Sequence, residues 1–125
     1  MDFRSRLLWV DGGAGFSAGI LMLALNSWLS ALHNLPSGLL LFIGIANVVY
    51  GMYSLTLASR SRRPAGAIWL LITANSLWVI HCLVQVMYWW EGISIWGILH
   101  LGGEGIIVGT LAFLEWRWRH LLWTE

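Results

Sequence analysis

Lysine is absent from this chain of 125 residues, and charge is carried by only seven arginines and six acids. Charged residues make up 10% of the total, where a soluble domain carries about 25%. That scarcity excludes an ordinary water-soluble globule. A net charge of +1 offers no basic surface to a polyanion, so no nucleic-acid partner is expected. Cysteine occurs once, at Cys82 inside an apolar run, which rules out an intramolecular disulfide and argues against thiol–disulfide exchange. Proline occurs only at Pro36 and Pro64, so the long apolar runs contain no helix breaker of that kind. Catalysis has little direct support. No nucleophile–base pair stands out, and the cluster Gly12-Gly13-Ala14-Gly15 follows no strand, so it is not a phosphate-binding loop.

What the chain does contain is apolar length. Hydrophobic residues make up 58% and mean hydropathy is +0.72. The arginines fall in three groups: Arg4 and Arg6, then Arg60, Arg62 and Arg63, then Arg117 and Arg119. Each interval between groups is long enough to cross a bilayer, turn and return. Cytoplasmic loops collect arginine, so this bias predicts four transmembrane helices with both termini in the cytoplasm. A crossing helix needs about 20 residues. The spans are placed at 7–32, 39–58, 65–88 and 94–115, leaving loops too short for a second domain. Residues 1–125 therefore read as one membrane domain, an all-α antiparallel four-helix bundle. The basic start followed by an apolar run resembles a signal peptide, but the run from Leu7 to Leu32 is too long for one. The expected location is the inner, cytoplasmic membrane, with the lipid bilayer as the principal partner.

Tryptophan agrees with this placement. There are ten, and nine fall near a predicted interface, where an amphipathic ring is favoured. Trp78 is the exception, in the middle of the third span, where its indole N–H needs a partner without bulk water. A short echo links two spans: Ala46-Asn47-x-x-Tyr50 and Ala74-Asn75-x-x-Trp78. Three matching positions do not establish an inverted repeat.

Function is sought in the polar residues of the spans. In the fourth, Gly97, His100, Glu104, Val108, Leu111 and Glu115 share one face at helical spacing. A carboxylate at the depth of Glu104 costs several kcal/mol unless neutral, paired or hydrated, so it is expected to face the bundle interior. The opposite face carries Gly102, Gly105 and Gly109, small residues that admit a second backbone and offer a homodimer surface. His81 and His100 fall at similar depth on consecutive spans, because each lies a few turns from the same connecting turn. With Asn47, Tyr50, Asn75 and Trp78 at nearby levels, the expectation is a buried polar site. Glu104 would be its proton- or cation-responsive group, with His100 and His81 as ligand contacts. The function expected is binding or translocation of a small ligand or ion.

Two rival readings use the same residues. Imidazole and carboxylate are zinc-type ligands, so His81, His100 and Glu104 form a candidate metal set. The two histidines are also candidate axial ligands of haem in a redox protein. Neighbouring helices pack about 8–10 Å apart, which is close for a macrocycle between them unless a dimer widens the gap. The bland reading is a structural or partner-binding protein whose polar strips are interhelical hydrogen bonds. Asp11 is either a proton or cation site or an interfacial acid beside Arg60, Arg62 or Arg63. In its size, the acid of its first span and the glycine pair of its fourth, the chain resembles the small multidrug exporters. Its size also resembles that of fluoride channels. The residues characteristic of either family are not evident, and none of their sites is carried over.

Overall fold

The structure, a computed structural model, describes residues 3–123, with side chains from Arg6 onward. Arg4 of the first arginine group and the last two residues of the tail fall outside the described side chains. The chain is all-helical: α1 (Phe3–Ala24), α2 (Asn26–His33), α3 (Ser37–Ser59), α4 (Ala65–Tyr88), α5 (Ile95–Arg117) and α6 (Arg119–Leu122). Four of these are long and apolar enough to cross a membrane, so the chain has the build of a multi-pass membrane protein.

The boundaries follow local chemistry. Pro36 and Pro64 immediately precede α3 and α4, where a fixed φ near the helical value and a missing N–H cost nothing. Ser94 caps α5, its hydroxyl accepting from the Gly97 N–H at 3.3 Å. Asn34 ends α2 in the left-handed region at φ 54°, a position its short polar side chain tolerates. The first span departs from expectation. It is not one helix over 7–32 but breaks at Leu25, and after the break α2 packs on α5 as well as on α3.

Side chains sort outward and inward as a lipid solvent requires. Val10, Ile20, Phe42, Val49, Leu77, Ile80, Ile106 and Phe113 are exposed on the four long helices. Two buried clusters close the ends of the bundle. At the arginine-bearing end, Leu7, Leu8, Leu57, Ala58, Ile68, Leu71 and Ile72 enclose Leu122 of α6. The tail is thus partly a plug: Arg63 Nη1 donates to the Leu122 carbonyl at 3.2 Å, and the Arg119 guanidinium lies 4.9 Å from the centre of the Trp116 ring. At the other end, Met22, Leu35, Leu40, Ile43, Ile93 and Leu101 form the second cluster. There the Asn34 side chain donates to the Gly92 carbonyl, and Ser94 Oγ donates to the Leu32 carbonyl at 2.7 Å.

The helices pair as α1 with α3 and α4 with α5, and the two pairs meet chiefly at the closed ends. The α1–α3 contact is backbone against backbone. A Cβ built on Gly51 would stand 2.5 Å from the Phe16 nitrogen, and one on Gly19 would stand 2.7 Å from the Gly44 carbonyl oxygen. Gly12 with Gly19 and Gly44 with Gly51 are each seven residues apart, so they recur on the facing sides of the two helices. On α5, a Cβ built on Gly105 or Gly109 would stand 3.6 Å from Cys82 or 3.5 Å from Val79 of α4, while one on Gly102 would meet nothing within 4 Å. Two of the three glycines read as a dimer surface therefore lie against α4 of the same chain.

Gly51→Ala should destabilise the fold by about 1–3 kcal/mol, because backbone atoms of α1 cannot yield to the added methyl. Gly13→Ala, where a Cβ meets nothing within 4 Å, should be neutral. Thermal melts of the two variants in detergent check this.

Candidate polar site between the helix pairs

Between the two apolar ends, the helix pairs enclose a cavity of about 750 Å³. It exists because facing positions carry small side chains: Ala14, Gly15 and Ala18 on α1, Ala46 on α3, Ala74 on α4 and Gly103 on α5. Its rim includes Val49, Leu70, Leu99 and Ile107, all exposed, so it opens sideways between helices. Six of the seven residues expected at a ligand site line it: Asn47, Tyr50, Asn75, Trp78, His100 and Glu104. Asp11 lines it too. His81 does not; it stacks on Trp78, with ring centres 4.5 Å apart, and its Nε2 lies 3.5 Å from the Gln85 amide nitrogen.

The polar groups form two stations. At the first, Trp78 Nε1 donates to Glu104 Oε1 at 2.7 Å, which answers the demand of an indole placed mid-span. His100 Nε2 lies 3.4 Å from Glu104 Oε2, one helical turn away as their spacing dictates. The other ring nitrogen of His100 is 2.7 Å from His33 Nε2, so one imidazole donates to the other. Asn47 approaches the same carboxylate from α3. The chain of contacts therefore runs from the end of α2 to Glu104 on the cavity wall.

At the second station, nearer the arginine end, Tyr50 donates to Asp11 Oδ2 at 2.7 Å. The Asn75 amide donates to the same oxygen at 3.3 Å and to Glu115 Oε1 at 2.6 Å. Asp11 is 3% exposed and Glu115 wholly buried, an unusual depth for acids. Asp11 was expected either here, as a proton or cation site, or at the interface beside an arginine; it lies buried and takes its hydrogen bonds from α3 and α4.

The metal set is not assembled. Among the described residues no group of three His, Cys, Asp or Glu side chains is placed to hold an ion. Trp78 accounts for this, since its ring stacks on His81 while its N–H is committed to Glu104. Two residues of the stations escaped the sequence reading. His33 lies just beyond the expected end of the first span at residue 32, and α2, which follows the break at Leu25, carries it to His100. Glu115 shares the face of His100 and Glu104 but was taken as the end of its span. Its place on that face was the available signal. The echo between spans is spatial as well: Ala46, Asn47, Tyr50, Ala74, Asn75 and Trp78 all line the cavity, and Tyr50 and Trp78 each donate to an acid.

Comparison with known proteins is silent: no family model, curated protein or solved structure matches this chain.

Burial and the neighbouring His100 hold the His33 imidazole below the ordinary histidine range. A histidine depressed in the folded state binds fewer protons there than when unfolded. Its contribution is therefore complete above about pH 6.5 and is lost as pH falls below that value. Melting in detergent across that window should show a fall toward acid that is smaller in His33→Gln, whose amide can hydrogen-bond His100 but does not titrate.

Proposed function

We propose that this protein is an antiparallel four-span bundle of the cytoplasmic membrane, with both termini in the cytoplasm, that binds or translocates a small, largely apolar molecule carrying one positive charge. The molecule would lie between the two helix pairs, with Glu104 as its anchor. Orientation rests on the arginine bias of the connecting segments. The ligand class rests on the character of the cavity. Its small and apolar walls suit a hydrophobic body, and a few convergent polar groups suit a single orienting contact.

Glu104 is the observation that carries this reading. Its side chain is 12% exposed, it stands on the cavity wall, and its two oxygens are held by Trp78 and His100. A carboxylate fixed at this depth is costly to keep ionised in hydrocarbon, and a cationic ligand offsets that cost. The metal and haem readings have weaker ground, because His100 is already engaged by His33 on one side and Glu104 on the other.

Two experiments test this. Tetraphenylphosphonium, a lipophilic cation, should bind the detergent-solubilised protein in equilibrium dialysis. Glu104→Gln should weaken that binding at least tenfold, about 1.4 kcal/mol, with an unchanged melt. Equal binding by the variant overturns the assignment of the anchor. For topology, single cysteines at Ser37 or Gly92 in a Cys82→Ser background should react with an impermeant thiol reagent outside intact cells. One at Ser61 should not, and the opposite labelling reverses the orientation.

A further inference from the structure

Glu115 is fully buried, and its Oε2 has no hydrogen-bond partner. Its carboxyl abuts that of Asp11, and both are tied to the Asn75 amide. Two unscreened negative charges at this separation in a low-dielectric interior are strongly unfavourable, and dyads of this kind resolve by holding a proton between them. The groups facing the pair are Tyr50 from α3 and Asn75 from α4, and both present hydrogen-bond donors. Neither supplies a compensating charge.

We infer that Asp11 and Glu115 form a proton-binding site, a carboxyl pair that carries one exchangeable proton and is reached from the cavity. The proton bridges the Glu115 oxygen that lacks a partner and the Asp11 carboxyl, while Tyr50 and Asn75 stabilise the negative charge that remains. A proton suits the site better than a metal cation. Hard cations need a shell of about six oxygens. Here Tyr50 and Asn75 turn hydrogens, not lone pairs, toward the carboxyls. Asp11, Tyr50 and Asn75 all line the cavity, which gives the proton a route in and out that does not cross either apolar end.

The site is distinct from Glu104 and is tested without any organic ligand. A folded state that holds the proton while both acids are ionised in the unfolded chain binds one proton more than the unfolded state. Stability must then fall as pH rises, by a factor of ten in the folding equilibrium per pH unit for as long as the pair keeps its proton. The unfolding equilibrium is measured in mixed micelles from about pH 7 to about pH 9 in a Cys82→Ser parent, which removes thiol titration from that window. The parent should show this slope, and Glu115→Gln should lose it. Asp11→Asn serves in its place if Glu115→Gln does not fold. Infrared spectra of the parent at neutral pH should contain a protonated-carboxyl band that the variants lack. A flat parent profile, or a slope and band that the variants retain, overturns the proposal. Stabilisation at high pH when sodium chloride replaces choline chloride also overturns it, since the occupant would then be a metal cation.

Discussion

Everything between the helix pairs depends on how closely α1 approaches α3. Lipid tails are as apolar as leucine, so helices in a bilayer are held by close packing and hydrogen bonds rather than by escape from water. Gly12, Gly19, Gly44 and Gly51 let two backbones touch. This contact makes one helix pair a tight unit, and α4 with α5 makes the other. Between the pairs the facing residues are again small, yet there the helices stay apart, because apolar clusters at both ends hold them open. The cavity is the consequence of small residues on opposed walls with larger residues wedged at either end.

Much of the architecture was legible in the sequence for a simple physical reason. The spans are punctuated by arginines, which hydrocarbon excludes, and by Pro36 and Pro64, which cannot continue a helix. α3 begins just after Pro36 and ends just before Arg60, α4 begins just after Pro64, and α5 ends at Arg117; the turn between α4 and α5 carries no such mark. The break at Leu25 carried no such mark, since neither proline nor glycine stands there. It decides where His33 goes, and so the contact with His100 could not be read from spacing alone. Glu115 illustrates a different limit. Periodicity puts it on the face of Glu104, and the expected span ends at it, so spacing alone does not say whether it is covered. Only α6 folding back to place Leu122 among the residues of α1, α3 and α4 closes that end of the bundle.

The two stations share a plan. In the first helix pair an acid on α1 receives a hydrogen bond from an aromatic residue on α3, Asp11 from Tyr50. In the second, an acid on α5 receives one from an aromatic residue on α4, Glu104 from Trp78. The echo between the segments around Asn47 and Asn75 falls on these two aromatic donors. The Asn positions differ in what they do. Asn75 joins two acids, whereas Asn47 meets the Met22 sulfur at 3.8 Å and stands beside Glu104. Matching residues have thus been placed on opposite walls and tied to different partners.

The sideways rim has a consequence for how occupancy is set. Val49, Leu70, Leu99 and Ile107 border the cavity at positions that hydrocarbon would cover. Under the binding role proposed above, a molecule arriving that way would be drawn from the bilayer and not from the aqueous phase. Its effective concentration is fixed by partitioning, so lipophilicity acts before any contact with protein is made. Weak intrinsic affinity then suffices for high occupancy, and an apparent dissociation constant referred to total solute shifts with the amount of lipid or detergent present. Acyl chains compete for the same space, which makes the thickness and unsaturation of the surrounding membrane a variable in recognition.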